Sequence, residues 1–256
     1  MSTPTLLFVH GALVRDGAWW WSPTADLLRE RTGIESRAVA LPSCGEAAGG
    51  GATGTGGTGA GGTGTGGAGG DLADDAAALR RALDEIADAG GSAIVVGHSY
   101  GGTVIAEAGE HPAVEHLLFV SSYLPDVGST QGSIMSTEPD PVTIRPDDAG
   151  RIVLDGYDVE SFGARFLQDA DAATQRAAWE RTTAQDLRAF GTPTSAAGWS
   201  GVDSTAIVCV DDRSTTVALQ RRHADRATRS VDLPTGHHPF ITRPDLVVEQ
   251  IEAFLA

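Results

Sequence analysis

This chain of 256 residues predicts an α/β fold with a mostly parallel central sheet flanked by helices, and three observations predict it. Short, β-branched apolar runs recur along the chain. Segments with apolar residues at helical spacing separate most of them. One run, Ser92-Ala93-Ile94-Val95-Val96, leads straight into Gly97-His98-Ser99-Tyr100-Gly101-Gly102. Alternating strands and helices bury a parallel sheet on both faces, and such strands read as continuous apolar runs rather than alternating ones.

Taken in order, residues 5–9 form the first strand, and residues 22–31 a helix with Ser22 as N-cap and Pro23 at its first position. A strand follows at 36–41. Residues 49–70 contain only glycine, alanine and threonine. They offer too little apolar surface to offset the entropy of ordering them, so the tract predicts a flexible loop. It lacks the Lys-Ser/Thr ending of a phosphate-binding loop. Residues 71–89 are helical, 92–96 a strand, 102–109 a helix and 116–121 a strand. From 124 to 199 no buried strand is evident, and 171–190 has a helical pattern; this stretch reads as a helical cap inserted over the C-terminal edge of the sheet. The alternation then resumes with a strand at 205–210, a helix at 216–226, a strand at 228–233 and a closing helix at 244–255. The predicted organisation is a core of residues 1–123 and 200–256 carrying a cap of residues 124–199.

A formal net charge of −16 argues against nucleic acid or an anionic membrane surface as a partner. Two cysteines far apart, Cys44 and Cys209, make neither a disulfide framework nor a metal-ligand spacing. The apolar start Leu6-Leu7-Phe8-Val9 is too short for a signal-peptide core or a membrane span, so a cytoplasmic protein is expected. Neither a metal nor a cofactor is called for. The expected partner is a small apolar or aromatic ester; a homodimer is compatible with the sequence but not demanded by it.

The Gly97–Gly101 segment has the Gly-x-Ser-x-Gly pattern of a nucleophile elbow, in which a tight strand-to-helix turn holds a serine above the sheet. Only glycine fits on either side of such a turn. Serine is a weak nucleophile and needs a base, which in turn needs an orienting carboxylate. Downstream, the strand at 205–210 runs into Asp211-Asp212, and the strand at 228–233 is followed by His237-His238. A right-handed crossover makes those strands neighbours with both loops at the ligand-binding edge. Asp212 leads as the acid, with Asp211 and Asp126 open, and His237 leads His238 as the base. At the end of the first strand, His10-Gly11-Ala12 offers the Ala12 backbone N–H as one oxyanion donor, and Tyr100 offers the other. His10 reads as a structural residue of its loop, and His98, His111, His116 and His223 as turn or surface histidines.

These motifs resemble the α/β-hydrolase superfamily, and within it the branch of plant methyl esterases, hydroxynitrile lyases and their bacterial serine-esterase relatives. The resemblance rests on His10-Gly11-Ala12 followed by Asp16-Gly17-Ala18-Trp19-Trp20-Trp21, on Gly97–Gly101, on Cys209-Val210-Asp211-Asp212-Arg213, and on Gly236-His237-His238-Pro239-Phe240-Ile241-Thr242-Arg243-Pro244-Asp245. It spans nearly the whole chain except the glycine tract and most of the cap. The resemblance implies a Ser99–His237–Asp212 triad cleaving a small carboxylic ester, lactone or thioester through an acyl-enzyme. The lyases of this branch carry threonine where Gly11 stands and lysine where His238 stands, which disfavours cyanide release here. Carbon–carbon bond cleavage remains the enzymatic alternative and small-molecule sensing the non-enzymatic one. Trp19, Trp21, Phe162 and Trp179, with Trp20 and Phe166, are candidates for an apolar pocket wall.

Overall fold

The computed structural model describes residues 3–47 and 69–255. The flexible loop expected at 49–70 therefore lies, except for Gly69 and Gly70, outside the described residues. The chain runs β1 (Thr5–Val9), α1 (Gly17–Thr32), β2 (Ser36–Ala38), α2 (Leu72–Asp88), β3 (Ala93–His98), α3 (Tyr100–Ala108) and β4 (Val114–Val120). The segment above the sheet contributes α4 (Gln131–Met135), β5 (Ile144–Pro146), β6 (Arg151–Leu154), α5 (Val159–Phe166), α6 (Ala172–Trp179), β7 (Gln185–Asp186) and α7 (Arg188–Gly191). The core then closes with β8 (Ser204–Cys209), α8 (Val217–Ala224), β9 (Arg229–Leu233), α9 (Pro239–Thr242) and α10 (Pro244–Glu252).

Six strands form one sheet in the order β2-β1-β3-β4-β8-β9, and every neighbouring pair is parallel. Both faces are apolar, as a sheet covered on two sides requires. Leu7, Val9, Val95, Leu117 and Val208 pack towards α2 and α3. Leu6, Phe8, Ile94, Val96, Leu118 and Ile207 pack towards α1 and α10. Strands β3 and β4 sit mid-sheet, and because all the strands are parallel their C-terminal ends, with those of β1, β8 and β9, open onto one edge.

Two expectations are corrected. Helix α1 starts five residues before Ser22: Asp16 is its N-cap, accepting from Trp19 N, and Pro23 lies inside the helix. Proline has no N–H to give the carbonyl four residues back; the Ser22 hydroxyl donates to that same Trp19 oxygen at 2.9 Å instead. The cap is also not wholly helical. β5, β6 and β7 form a small antiparallel sheet of three- and four-residue strands and one of two. The helical pattern of 171–190 breaks after Trp179, because Thr182 bridges to Val14 and Thr183 N donates to Leu13 O at 2.8 Å. Pairing with the first loop of the core there outweighs local helix preference.

Candidate active site

Ser99 joins β3 to α3 with φ 50° and ψ −121°, a conformation side chains rarely adopt. The flanking glycines are required by close approach. A Cβ on Gly97 would stand 2.7 Å from Gly101 O, and one on Gly101 would stand 2.5 Å from Val9 O. The turn is pinned by Ser99 N donating to Val120 O at 3.2 Å and Ser122 Oγ donating to Ser99 O at 2.6 Å.

Strand β8 ends three residues before Asp212, and β9 ends four residues before His237. His237 Nδ1 lies 2.8 Å from Asp212 Oδ2. The second carboxylate oxygen accepts from Ser214 N at 2.7 Å and Thr215 N at 3.0 Å, and Gln220 Nε2 donates to Oδ2 at 3.0 Å. Burial pushes this carboxyl up, but His237 and these donors outweigh it and hold it below the usual carboxylate range. Asp211 is exposed, and Asp126 pairs with Arg226 at 2.8 Å, so neither reaches the histidine. Ser121, at the end of β4 with φ 43°, places its hydroxyl between the pair, donating to Asp212 Oδ2 and lying 3.0 Å from His237 Nδ1. Its position after a strand end on the site edge was the available signal; its identity carried none.

His238 is turned away from this pair. Its Nδ1 lies 2.8 Å from Phe166 O, and its ring stacks on Trp20 with centroids 5.0 Å apart. Burial, reinforced by His237, pushes it down to about 3, so it is neutral with Nδ1–H donating. His98 departs from the turn-or-surface reading: it is buried, its Nε2 lies 3.0 Å from His237 O, and burial holds it well below the ordinary histidine range. The three rings each bring a nitrogen within 4.8 Å of the others. One nitrogen on each is already committed, to Asp212, to Phe166 O and to His237 O, which makes the cluster a hydrogen-bonded support for His237.

On the other side, His10 lies 2.8 Å from Glu46 Oε2 and 2.8 Å from Gly11 O. Burial alone would lower the His10 pKa, but Glu46 raises it overall, and Glu46 falls to about 2. The pair anchors the loop carrying Ala12. Gly11 lets that loop close on the elbow, since a Cβ there would sit 3.0 Å from His98 Nδ1. Among the described residues, neither Ala12 N nor Tyr100 N takes a hydrogen-bond partner.

Ser99, His237 and Ala12 line one cavity beneath the cap, with Leu13, Val14, Met135, Pro141, Val142 and Leu154 among its apolar walls. Among the described residues no hydrogen bond joins the Ser99 hydroxyl to His237; the Tyr123 phenol, 3.1 Å from Thr215 Oγ1, lies against Ser99. Of the aromatic candidates, Phe162 and Phe166 line the cavity, and Trp19, Trp20, Trp21 and Trp179 do not. Trp21 stacks between Phe8 and Phe240 at 4.5 and 4.0 Å, Trp19 lies under Arg181 at 4.2 Å, and Trp179 packs behind Phe162 at 5.5 Å. Because α1 begins at Gly17, the tryptophan run lies on a helix packed against the far face of the sheet. Gln131, which the sequence did not single out, is buried on the cavity wall.

Residues 6–250 match the family described as the alpha/beta hydrolase family. The chain belongs to that family. A pyrethroid hydrolase of Sphingobium wenxiniae is 28% identical over 68% of this chain and 68% of its own. An alpha/beta hydrolase of Aspergillus novofumigatus is 26% identical over 70% and 76%. The crystal structure of a pyrethroid hydrolase from Sphingobium faniae shares 25% identity over 99% of this chain and 98% of that one, at a TM-score of 0.72. Polyneuridine aldehyde esterase superposes at 0.74 with 17% identity over 99% of both chains, and an Arabidopsis methylesterase at 0.71 with 15% over 98% of both; these two share the α/β-hydrolase fold. No helix of the described residues is long and apolar enough to cross a membrane.

Proposed function

We propose that this α/β-hydrolase is a serine esterase that cleaves a small apolar carboxylic ester, lactone or thioester through an acyl-enzyme. The observation that carries the proposal is the buried Asp212–His237 pair at 2.8 Å on the cavity that the strained Ser99 turn also lines. Asp212 fixes the imidazole tautomer with its proton on Nδ1, leaving Nε2 to take the Ser99 proton when substrate draws the two together; such contacts tighten on binding. The free Ala12 and Tyr100 N–H groups suit the oxyanion, because they are fixed before charge develops. Water activated by the same imidazole then releases the acid. No cofactor enters this scheme.

The relatives named as pyrethroid hydrolases support a hydrolytic reading on an apolar substrate. Lyase chemistry is less well served: His238, neutral with Nδ1–H given to Phe166 O, offers no cation to a departing anion. The testing experiment is a panel of p-nitrophenyl esters of rising chain length, with aryl methyl esters, lactones and cyanohydrins alongside. A serine-directed phosphonate should label Ser99. Labelling elsewhere, or cyanide release outrunning ester cleavage, would sink the proposal.

A further inference from the structure

The cavity wall carries one hydrogen-bond donor that the proposed chemistry does not use. Gln131 is 1% exposed, yet it lines the cavity. Its amide is oriented from behind: Thr103 Oγ1, in the first turns of α3, donates to Gln131 Oε1 at 2.7 Å. With Oε1 committed, Nε2 carries its two hydrogens without a partner among the described residues. Neighbouring polar groups on the wall are already occupied. Both Glu138 oxygens accept from Thr216, at 3.3 and 3.2 Å, and Tyr123 is bonded to Thr215. The Ser214 hydroxyl can rotate to donate or accept, so it does not discriminate, whereas an amide NH2 only donates.

A nearly buried donor left unmatched against an apolar substrate loses the hydrogen bonds it would have with water, and this penalty falls on the complex that lacks an acceptor. We infer that Gln131 is a substrate-specificity residue that selects apolar esters bearing a second hydrogen-bond acceptor, such as a ketone, ether or second ester carbonyl, away from the scissile bond. The inference rests on the serine-esterase reading and narrows its substrate class. Thr103 is the positioning residue that sets the amide's direction. No covalent step is added: the acceptor is held while the chemistry proceeds at Ser99.

The test compares p-nitrophenyl pentanoate and heptanoate with chain-matched esters carrying a ketone or ether oxygen at successive positions. The wild type should prefer one acceptor position over the hydrocarbon of equal length by about 10- to 100-fold in kcat/KM. Gln131→Met should erase that preference, chiefly by raising kcat/KM on the hydrocarbon esters towards the acceptor-bearing ones, because the unmatched donor that penalised them is gone. Thr103→Val should weaken the preference and Gln131→Glu should reverse it, because a carboxylate repels the acceptor. Calorimetric binding of the same intact esters to the Ser99→Ala protein reads the Gln131 contribution without turnover. If no ester is cleaved but the binding preference persists, the esterase reading fails and the specificity stands. Equal losses on both series in Gln131→Met, or a wild-type preference for donor-bearing chains, would overturn the role given to Gln131.

Discussion

Asp212 and Asp75 are both shut away from solvent, yet their carboxyl groups are displaced in opposite directions. Asp212 faces an imidazole and two backbone N–H groups, and is held below the usual range. Asp75 accepts from Ser43 N at 2.9 Å, Ser43 Oγ at 2.6 Å and the Tyr100 hydroxyl at 2.7 Å, and burial still raises it. Its donors are neutral apart from a distant contribution from His10. Hydrogen bonds alone do not keep a desolvated carboxylate charged; a partner that can carry positive charge beside it does. The same residue type therefore stands beside an imidazole on one side of Ser99 and ties Ser43 to Tyr100 on the other.

The largest expected effect tests the centre of that comparison. Ser99→Ala should lower ester turnover to near background, a loss on the order of 10⁶-fold, with an unchanged circular dichroism spectrum. His237→Ala should fall almost as far, and His238→Gln should keep most activity, because only His237 meets Asp212. Next come the acids. Asp212→Asn should cost about 10⁴-fold in kcat by favouring the wrong imidazole tautomer. Asp75→Asn and the exposed Asp211→Asn should each stay within about threefold. An Asp75→Asn loss comparable to that of Asp212→Asn would erase the distinction between the two aspartates.

Smaller effects belong to stability against pH. The raised Asp75 contributes stability that is present below its unfolded value and lost as pH rises through its folded one. Asp75→Asn removes that dependence, so its Tm relative to wild type should improve between pH 4 and pH 8. A difference in Tm that is flat across that range would mean Asp75 is charged and paired after all. His238 and His98 have the opposite sign. Their folded values are depressed, so the stability they contribute is present above pH 6.5 and lost as pH falls through those depressed values, about 3 for His238. His238→Gln, whose amide can still donate to Phe166 O, should make the acid-side fall in Tm shallower. An acid limb as steep as that of wild type would place the responsible group elsewhere.

The sheet edge carrying Ser99, Asp212 and His237 was far more readable than the segment that covers it, and the reason is physical. Ser99 and Asp212 follow buried strands and His237 follows the largely exposed edge strand β9, and a parallel sheet sends all such strand ends to one edge whatever the side chains do next. The glycines around Ser99 are visible because backbone contacts leave no room for a Cβ. The cap follows no such rule. Its strands are short and half exposed, so β5, β6 and β7 show no buried run, and the 171–190 pattern gave no sign that Thr182 and Thr183 would pair with the first loop. The tryptophan cluster misled for a related reason: aromatic residues fill a core as readily as a pocket, and only the start of α1 at Gly17 decides which.

By itself, then, the chain determined the order of the strands and helices of the core, the glycine-flanked turn at Ser99 and the short set of acids and bases near its edge, because these follow from local periodicity and backbone sterics. Which of two adjacent aspartates or two adjacent histidines turns inward was decided by packing, through the Phe166 carbonyl that holds His238 and the backbone amides of Ser214 and Thr215 that hold Asp212. Ser121 and Gln131 reach the site from elements distant in sequence, and His98, although next to Ser99, meets the His237 carbonyl only through packing. Their roles depend on distances between strands and helices that exist only once the sheet has assembled and the cap has closed over its edge.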